Sequence, residues 1–382
     1  MPKRSFPPAT LITSGVALQR LADALAREPL LAVDTESNSL YAYRERVCLL
    51  QLSTRTADYI VDTLALDDLT PLGALFADPA LEKVFHAAEY DIICLKRDYG
   101  FTFANLFDTM VAARICGVQS FSLGNLVETR LGVSLDKGHQ LDNWAQRPLS
   151  KSHLRYAQLD THYLPALRDT MCAELETAGL LAEARELFNE LCRTAVPDTT
   201  FDPEGYWRIG GPQHLSPREL AVLREVYLLR EELASQRDQP PFKVLSNQTL
   251  VALARAMPRT LADLQTVNGV GTRLIARDGD RLLAAVAAGL HAPPPRRPAR
   301  DRQAAPEVLE RYQALREWRR DRANARGVES DIILPKDAMW TLAERAPSSV
   351  DEMRDIPGLG PWRLSNYGDE LLRVLSKQGG LL

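Results

Sequence analysis

The stretch that decides the fold is LAVDTES, at residues 31–37. It begins as an apolar run, which is typical of a buried strand, and it ends in two carboxylates, Asp34 and Glu36. Side chains alternate across a strand, so both carboxylates lie on the same face. Like charges in a buried position are costly unless a cation neutralises them. LAVDTES therefore predicts a strand that carries a cation site, with a strand end that emerges into solvent as the alternative.

The composition limits the class of protein. The chain has 382 residues, enough for two or three domains, and 45% hydrophobic with 25% charged residues is typical of a soluble globular protein. Its apolar runs are far shorter than a membrane span, and its first residues lack the pattern of a signal peptide. Five scattered cysteines argue against a disulfide framework or a zinc site. We therefore expect a cytoplasmic protein with no membrane association.

The charge distribution does not by itself predict a nucleic-acid partner. The formal net charge is −4, with the acidic excess in the first half of the chain and a slight basic excess in the second half. The clearest basic patch combines the stretch PPPRRPARDR (293–302) with REWRRDRANAR (316–326). This patch predicts phosphate contacts, with a solvated run of charge as the alternative.

Strand and helix signals alternate over the first 195 residues. PLLAVDTES, RVCLLQLST and ADYIVDT read as strands of an antiparallel meander, and EKVFHA reads as a short further strand. EYDIICLKRDYG reads as an amphipathic helix that ends at Gly100. NLFDTMVAARICG, SLGNLVETRLG and the long SKSHLRYAQLDTHYLPALRDTMCAELETAGL also read as helices. The pattern predicts an α/β domain with a mixed sheet of five to six strands packed by helices.

An internal repeat follows the α/β region. After a shift of 89 residues, FKVLSNQTLVALARAMPRTLADLQTVNGVGTRLI lies over DIILPKDAMWTLAERAPSSVDEMRDIPGLGPWRL without a gap. The apolar positions, one proline and the Gly-x-Gly turns keep register, which indicates two copies of one small helical module. We predict an α/β domain at 1–195, a linker at 196–212, a helical domain at 213–292, a Pro/Arg-rich linker at 293–304 and a second helical domain at 305–382.

Three further residues extend the pair of acids on the first strand. Asp91 stands at the start of a helix directly after a strand, and Tyr156 and Asp160 are four residues apart on one helical face. Oxygen donors without a coherent Cys or His cluster suit hard ions such as Mg²⁺ or Mn²⁺. Two such ions about 4 Å apart can activate a water molecule and stabilise the leaving oxygen of a phosphodiester.

These motifs resemble a known family. D-T-E after a strand, H-A-x-x-x-D entering a helix and Y-x-x-x-D on a late helix look like the DEDD exonucleases of the tyrosine subtype, which have an RNase H-like fold. KGHQLDNWAQRPL is similar to the motif that precedes the tyrosine in the ribonuclease D family, although Asn143 stands where that family usually has aspartate. The repeated module resembles the HRDC domain.

The resemblance implies a site and an activity. Asp34, Glu36, Asp91 and Asp160 would bind two divalent metal ions, Mg²⁺ or Mn²⁺, and Tyr156 would orient the attacking water. The activity would be 3′→5′ hydrolysis of RNA with release of nucleoside 5′-monophosphates. The expected partner is RNA with a single-stranded 3′ end, tRNA precursors first, acted on by a monomer with no obligate protein partner.

A second set of residues is predicted to contact substrate. It comprises aromatic and basic residues after the acidic strand, one histidine, and residues of the motif before the tyrosine: Tyr41, Arg44, Arg46, His86, Lys137, Gln140, Trp144 and Arg147. A solvated hairpin is the alternative for residues 40–47, and a structural hydrogen bond is the alternative for His86. Asp62 and Asp108 resemble Asp34 locally but read as turn and N-cap residues.

Two other functions fit the residues. A 3′–5′ DNA exonuclease would use the same acids, because discrimination depends on 2′-OH contacts that the sequence does not locate. A non-catalytic RNA-binding protein could use the helical modules alone, although the complete set of four acids and a tyrosine argues against it.

Overall fold

The computed structural model describes residues 6–135, 138–210, 214–296 and 304–376. Lys137 and residues 297–302 of the basic patch lie outside these ranges. The chain divides into two compact units, of which one takes the described residues within 1–37, 47–196 and 302–382. The other takes those within 38–46 and 197–301. The predicted domain boundaries stay a prediction.

A mixed six-stranded sheet forms the centre of the first unit. Its order is β1-β4-β3-β2-β5-β6. Strand β2 pairs antiparallel with β3, and β3 with β4, which confirms the predicted meander; the other three pairings are parallel. The strands are β1 (Thr10–Ile12), β2 (Leu30–Ser37), β3 (Val47–Ser53), β4 (Asp58–Asp62), β5 (Glu82–Phe85) and β6 (Leu106–Asp108).

Eight helices belong to the same α/β region, among the residues that the structure describes. Helix α3 ends at Gly100, whose φ of 67° is the left-handed conformation that glycine adopts most readily. The helices are α1 (Gly15–Leu25), α2 (Thr70–Ala77), α3 (Glu89–Tyr99), α4 (Thr109–Ile115), α5 (Leu123–Leu131), α6 (Lys151–His162), α7 (Leu164–Thr177) and α8 (Leu181–Cys192).

Two helix predictions are corrected by the structure. NLFDTMVAARICG begins as strand β6, because its buried first residues pair with β5. Asp108 then starts α4 by accepting the backbone N–H groups of Met110 and Val111 at 2.8 and 3.0 Å. The long helix predicted over 150–180 is two helices, because Pro165 has no N–H to continue the ladder and stands instead in the first turn of α7.

The second unit is the first helical module with the segment that joins β2 to β3. Its helices are α9 (Pro217–Arg237), α10 (Pro241–Val244), α11 (Asn247–Ala256), α12 (Leu261–Gln265) and α13 (Thr272–His291). Tyr43 of the joining segment donates its backbone N–H to Asp238 Oδ1 at 3.0 Å and its hydroxyl to Glu231. The ammonium of Lys243 lies 3.8 Å from the centre of the Tyr41 ring. These contacts hold the segment within this unit.

The second helical module belongs to the first unit. Its helices α14 (Pro306–Arg326), α15 (Ser330–Ile333), α16 (Lys336–Arg345) and α17 (Pro361–Ser376) begin 89 residues after α9, α10, α11 and α13, which confirms the repeat. The module packs against α8 through buried charges. Arg326 forms two 2.8 Å hydrogen bonds to Glu183, a side chain with no exposed surface. Arg363 contacts Glu190 at 3.0 Å, and Glu186 accepts the backbone N–H of Trp362 at 2.6 Å.

No helix in the described parts of the chain is long and apolar enough to cross a membrane.

The Arg326–Glu183 pair generates a stability prediction. Arg326→Ala leaves a fully buried carboxylate without its cation, so we expect the free energy of unfolding to fall by about 3 kcal/mol. Chemical denaturation of the full chain measures this change. Arg320→Ala is the matched control on the same helix; its pair with Asp321 is exposed, and its loss should cost less than about 0.5 kcal/mol. Equal effects of the two substitutions would contradict the docking role of Arg326.

Candidate active site

Strand β2 places Asp34 and Glu36 in the middle of the sheet. Asp34 lies opposite Gln51 of β3 and Glu36 lies opposite Leu49. Residues 30–33 are fully buried, and the burial becomes partial from Asp34 onward. The two carboxylates therefore share one face at the end of the strand, as the sequence predicts.

Asp91 lies at the same end of the strands as Asp34 and Glu36, because it follows β5. Strand β5 is parallel to β2, so the two strands end on the same side, and α3 begins four residues later. Asp108 accepts the backbone N–H groups of Ala87 and Ala88 at 3.2 and 2.7 Å, which holds the turn in place. Ala87 has a φ of 65° there. The hydroxyl of Thr35, between the two acids of β2, donates to Asp91.

Helix α6 carries Tyr156 and Asp160, and polar contacts fasten it to β3 and β4. Ser53 Oγ and Thr161 Oγ1 lie 2.7 Å apart. Asp58 Oδ2 lies 2.7 Å from Gln158 Nε2 and 2.8 Å from His162 Nδ1. Because Thr161 faces β3, the neighbouring Asp160 is brought beside the acids of β2.

Three of the four predicted acids converge on one point. Asp34, Glu36 and Asp160 each offer a carboxylate oxygen within 4.8 Å of the others. Asp91 joins them through Thr35 and through its electrostatic interaction with Asp34. A set of oxygen donors only, held this close, fits a hard divalent cation such as Mg²⁺ or Mn²⁺.

The pKa values show how costly the cluster is without a cation. Burial raises the pKa of Asp34 to about 7. Burial, followed by repulsion from neighbouring carboxylates, raises the pKa of Glu36 to about 10. Burial and the charge of Asp34 also raise the pKa values of Asp91 and Asp160 well above the ordinary range. The four groups can all be ionised at neutral pH only if cations compensate them.

Three of the predicted substrate residues make structural contacts. His86 Nδ1 lies 3.0 Å from Thr109 Oγ1, the structural hydrogen bond foreseen as its alternative. Trp144 is only 1% exposed and packs against Tyr156, with ring centres 5.9 Å apart, so it offers a substrate almost no surface. Arg147 holds Asp62 through two 2.7 Å hydrogen bonds and also donates to backbone carbonyls.

The other predicted substrate residues are placed differently. Arg44, Arg46 and Gln140 are exposed, as a contact with a polynucleotide would require. Tyr41 packs under Lys243 in the second unit. Lys137 lies outside the described residues. Their predicted contacts with substrate stay predictions.

A histidine pair beside Tyr156 was not anticipated as a cluster. His139 Nδ1 and His153 Nε2 lie 2.7 and 3.0 Å from the same oxygen, Asp142 Oδ2. The His139 ring meets the Tyr156 ring edge-on, with centres 5.8 Å apart. Asp142 stands one position before Asn143, the residue that departs from the family motif, and its carboxylate contacts both histidines. Only the fold brings residues 139, 142 and 153 together.

Comparisons with known proteins agree with this geometry. A family model described as 3′–5′ exonuclease matches residues 10–176, and a model described as HRDC domain matches residues 219–286 and 308–375. Ribonuclease D of Granulibacter bethesdensis is 31% identical, over 97% of this chain and 93% of its own length. Ribonuclease D of Acidiphilium cryptum is 32% identical, over 98% of this chain and 94% of its own.

A solved structure gives the same result. The crystal structure of Escherichia coli RNase D, described as an exoribonuclease involved in structured RNA processing, superposes with a TM-score of 0.70. The identity is 25%, and the match covers 97% of this chain and 99% of that one. The sheet, the acidic cluster and the two helical modules, together with these matches over nearly the full length, show that the chain belongs to the ribonuclease D family of metal-dependent 3′–5′ exoribonucleases.

Proposed function

We propose that this exoribonuclease trims the 3′ ends of structured RNAs, tRNA precursors first, and releases nucleoside 5′-monophosphates. The observation that carries the proposal is the convergence of Asp34, Glu36 and Asp160 within 4.8 Å, with Asp91 joined to β2 through Thr35 and Tyr156 on the same helix as Asp160. Such a cluster concentrates negative charge where a phosphodiester, itself an anion, must be cleaved. Positive charge supplied by bound ions would reduce the repulsion among the acids and also attract the phosphodiester.

Asp34, Glu36, Asp91 and Asp160 would hold two divalent ions, Mg²⁺ or Mn²⁺. When bound, two such ions activate a water molecule and stabilise the leaving oxygen. The donor set supports this proposal, because it consists of carboxylate oxygens brought from a strand and two helices.

Tyr156 would hold the attacking water through its hydroxyl. A phenol hydroxyl can both donate and accept a hydrogen bond, which suits it to hold a water molecule. The rings of Trp144 and His139 lie against Tyr156 at 5.9 and 5.8 Å between centres and limit its rotation. The role proposed for the buried Trp144 is therefore to position Tyr156.

The substrate would enter as a single strand. The solved relative from Escherichia coli is described as acting in structured RNA processing, which supports a folded RNA with a free tail as substrate. Exposed Arg44 and Arg46 can contact the phosphates of such a tail. In the described parts of the chain the cysteines form no disulfide, which suits the proposed work in a reducing cytoplasm.

Substitution of the acids tests the site. Asp34→Asn and Asp160→Asn should each lower kcat by roughly 10³-fold, since several kcal/mol of transition-state stabilisation depend on the bound ions. The Kd for a labelled RNA should change by less than about twofold. Asp67→Asn, an exposed acid on the same domain, is the matched control and should keep full activity. Undiminished cleavage by Asp34→Asn would show that the site is misassigned.

Stability should depend on pH in a defined direction. In EDTA, Asp34 ionises in the folded chain at about pH 7 but near 3.8 when unfolded, so the folded state binds more protons between these values. The folded state therefore loses stability as the pH rises from 3.8 to about 7, and the Tm should be lower at pH 8.5 than at pH 5.5. Asp34→Asn should flatten this dependence.

Divalent ions should reverse that loss. Because ions bind ionised carboxylates, Mg²⁺ should raise the Tm more at pH 8.5 than at pH 5.5. Thermal melts at both pH values, with and without Mg²⁺, measure the difference. An equal increase at both pH values would argue against binding at these acids.

A stem-loop RNA with a 3′ tail tests the substrate. We expect mononucleotides to be released from the tail until the stem blocks further progress, because cleavage by two metal ions needs a flexible single strand. Product analysis on a sequencing gel, with EDTA as control, measures the stopping point. A matched DNA oligonucleotide should be cut more slowly. Cuts within the stem or in mid-loop would contradict the proposal.

A further inference from the structure

Gln51 has a polar side chain without a partner in the protein. It lies in the middle of β3, has no exposed surface, and neither Nε2 nor Oε1 forms a hydrogen bond. In the described parts of the chain, no other side chain leaves two buried polar atoms unpaired. A buried amide without partners destabilises a fold, because it loses its hydrogen bonds to water and gains none in the protein. An apolar residue would suit a strand that is otherwise buried along its whole length.

The register of the sheet places this amide beside the acidic cluster. Gln51 lies directly opposite Asp34, and residues opposite each other on antiparallel strands point to the same face with Cβ atoms about 5 Å apart. Two residues further along, Ser53 of that face bonds to Thr161 of α6. The amide therefore lies between β2 and the turn of α6 that carries Asp160.

The chemistry of an amide suits that position. Among the described residues, neither Asp34 nor Asp160 forms an ion pair with lysine or arginine. A carboxylate that binds a cation through one oxygen is usually held by a hydrogen bond to the other, and such bonds orient the ligand. An amide N–H donates this bond without adding charge, so it does not compete with the cation, as an ammonium group would.

We propose that Gln51 is a positioning residue of the metal centre, donating its amide N–H to the carboxylate of Asp34 when that carboxylate holds a cation. The inference depends on the proposed metal site. The amide is kept despite its cost to the fold because it orients the acid that faces both Asp91 and Asp160. Gln51 itself does not touch the ions or the substrate.

The test distinguishes a positioning role from a packing role by two measurements, the stability of the variant and its affinity for Mn²⁺. Gln51→Met removes the unpaired amide and keeps the length of the side chain. In EDTA the variant should be at least as stable as the wild-type chain in chemical denaturation. Its affinity for Mn²⁺, measured by calorimetry without RNA, should be about 10- to 100-fold weaker, as is typical when a partner of a metal ligand is lost.

Gln158→Met is the matched control. Gln158 is equally buried on α6, but its amide donates to Asp58 and to the Pro7 carbonyl at 2.7 and 2.8 Å. This variant should lose stability and keep its Mn²⁺ affinity, the opposite of Gln51→Met. Gln51→Leu repeats the test if Gln51→Met does not fold, with the same expected outcome.

Asp34→Asn in the same Mn²⁺ titration distinguishes the two levels of the argument. If Asp34→Asn loses binding while Gln51→Met and Gln51→Leu bind Mn²⁺ like the wild-type chain, the role of Gln51 is overturned and the metal site stands. If Asp34→Asn also binds Mn²⁺ normally, the metal site itself is wrong.

Discussion

The repulsion among closely spaced, partly buried carboxylates is the constraint on which the first unit depends. Asp34, Glu36 and Asp160 converge within 4.8 Å, and burial removes the water that would screen them. Among the described residues, no lysine or arginine forms an ion pair with these acids. A permanent ion pair would neutralise the cluster and occupy its oxygen atoms. The positive charge that compensates the acids must then come from bound ions. Such ions leave room for a phosphodiester, which is itself an anion.

Other buried acids of the same domain show the contrast. Burial opposes the ionisation of Asp58, but hydrogen bonds from His162, Ser53 and Gln158 outweigh it and lower its pKa. Asp108 accepts four backbone N–H groups and holds the turn before α3. Acids surrounded by donors build the scaffold, whereas the acids of the cluster have few donors and raised pKa values. An aspartate with several hydrogen-bond donors around it holds structural elements together, whereas an aspartate with few donors is a candidate metal ligand.

The sequence predicted the parts of this structure that depend on local pattern. The alternation around LAVDTES, the spacing of Tyr156 and Asp160, and the 89-residue repeat each depend on periodicity, and the structure reproduces them. It did not predict strand β6, because three residues carry too little periodicity to stand out from the helix that follows. Trp144 lies in a motif that suggested substrate contact, yet it is buried against Tyr156. The isolation of Gln51 depends on tertiary packing, which no local pattern records.

The two helical modules show how one fold acquires different attachments. In the second module, Glu186 of α8 accepts backbone N–H groups at the start of α17, and a Cβ at Gly360 would overlap its carboxylate. In the first module the equivalent Gly271 begins α13 with no side-chain cap, and a Cβ there would meet no described atom within 4 Å. The glycine is the same in both copies, and in the second copy it leaves room for the Glu186 carboxylate of the α/β domain. The repeat predicts the fold of each module, because each module keeps its own core. The docking of the second module depends on Glu186, a residue outside the repeat.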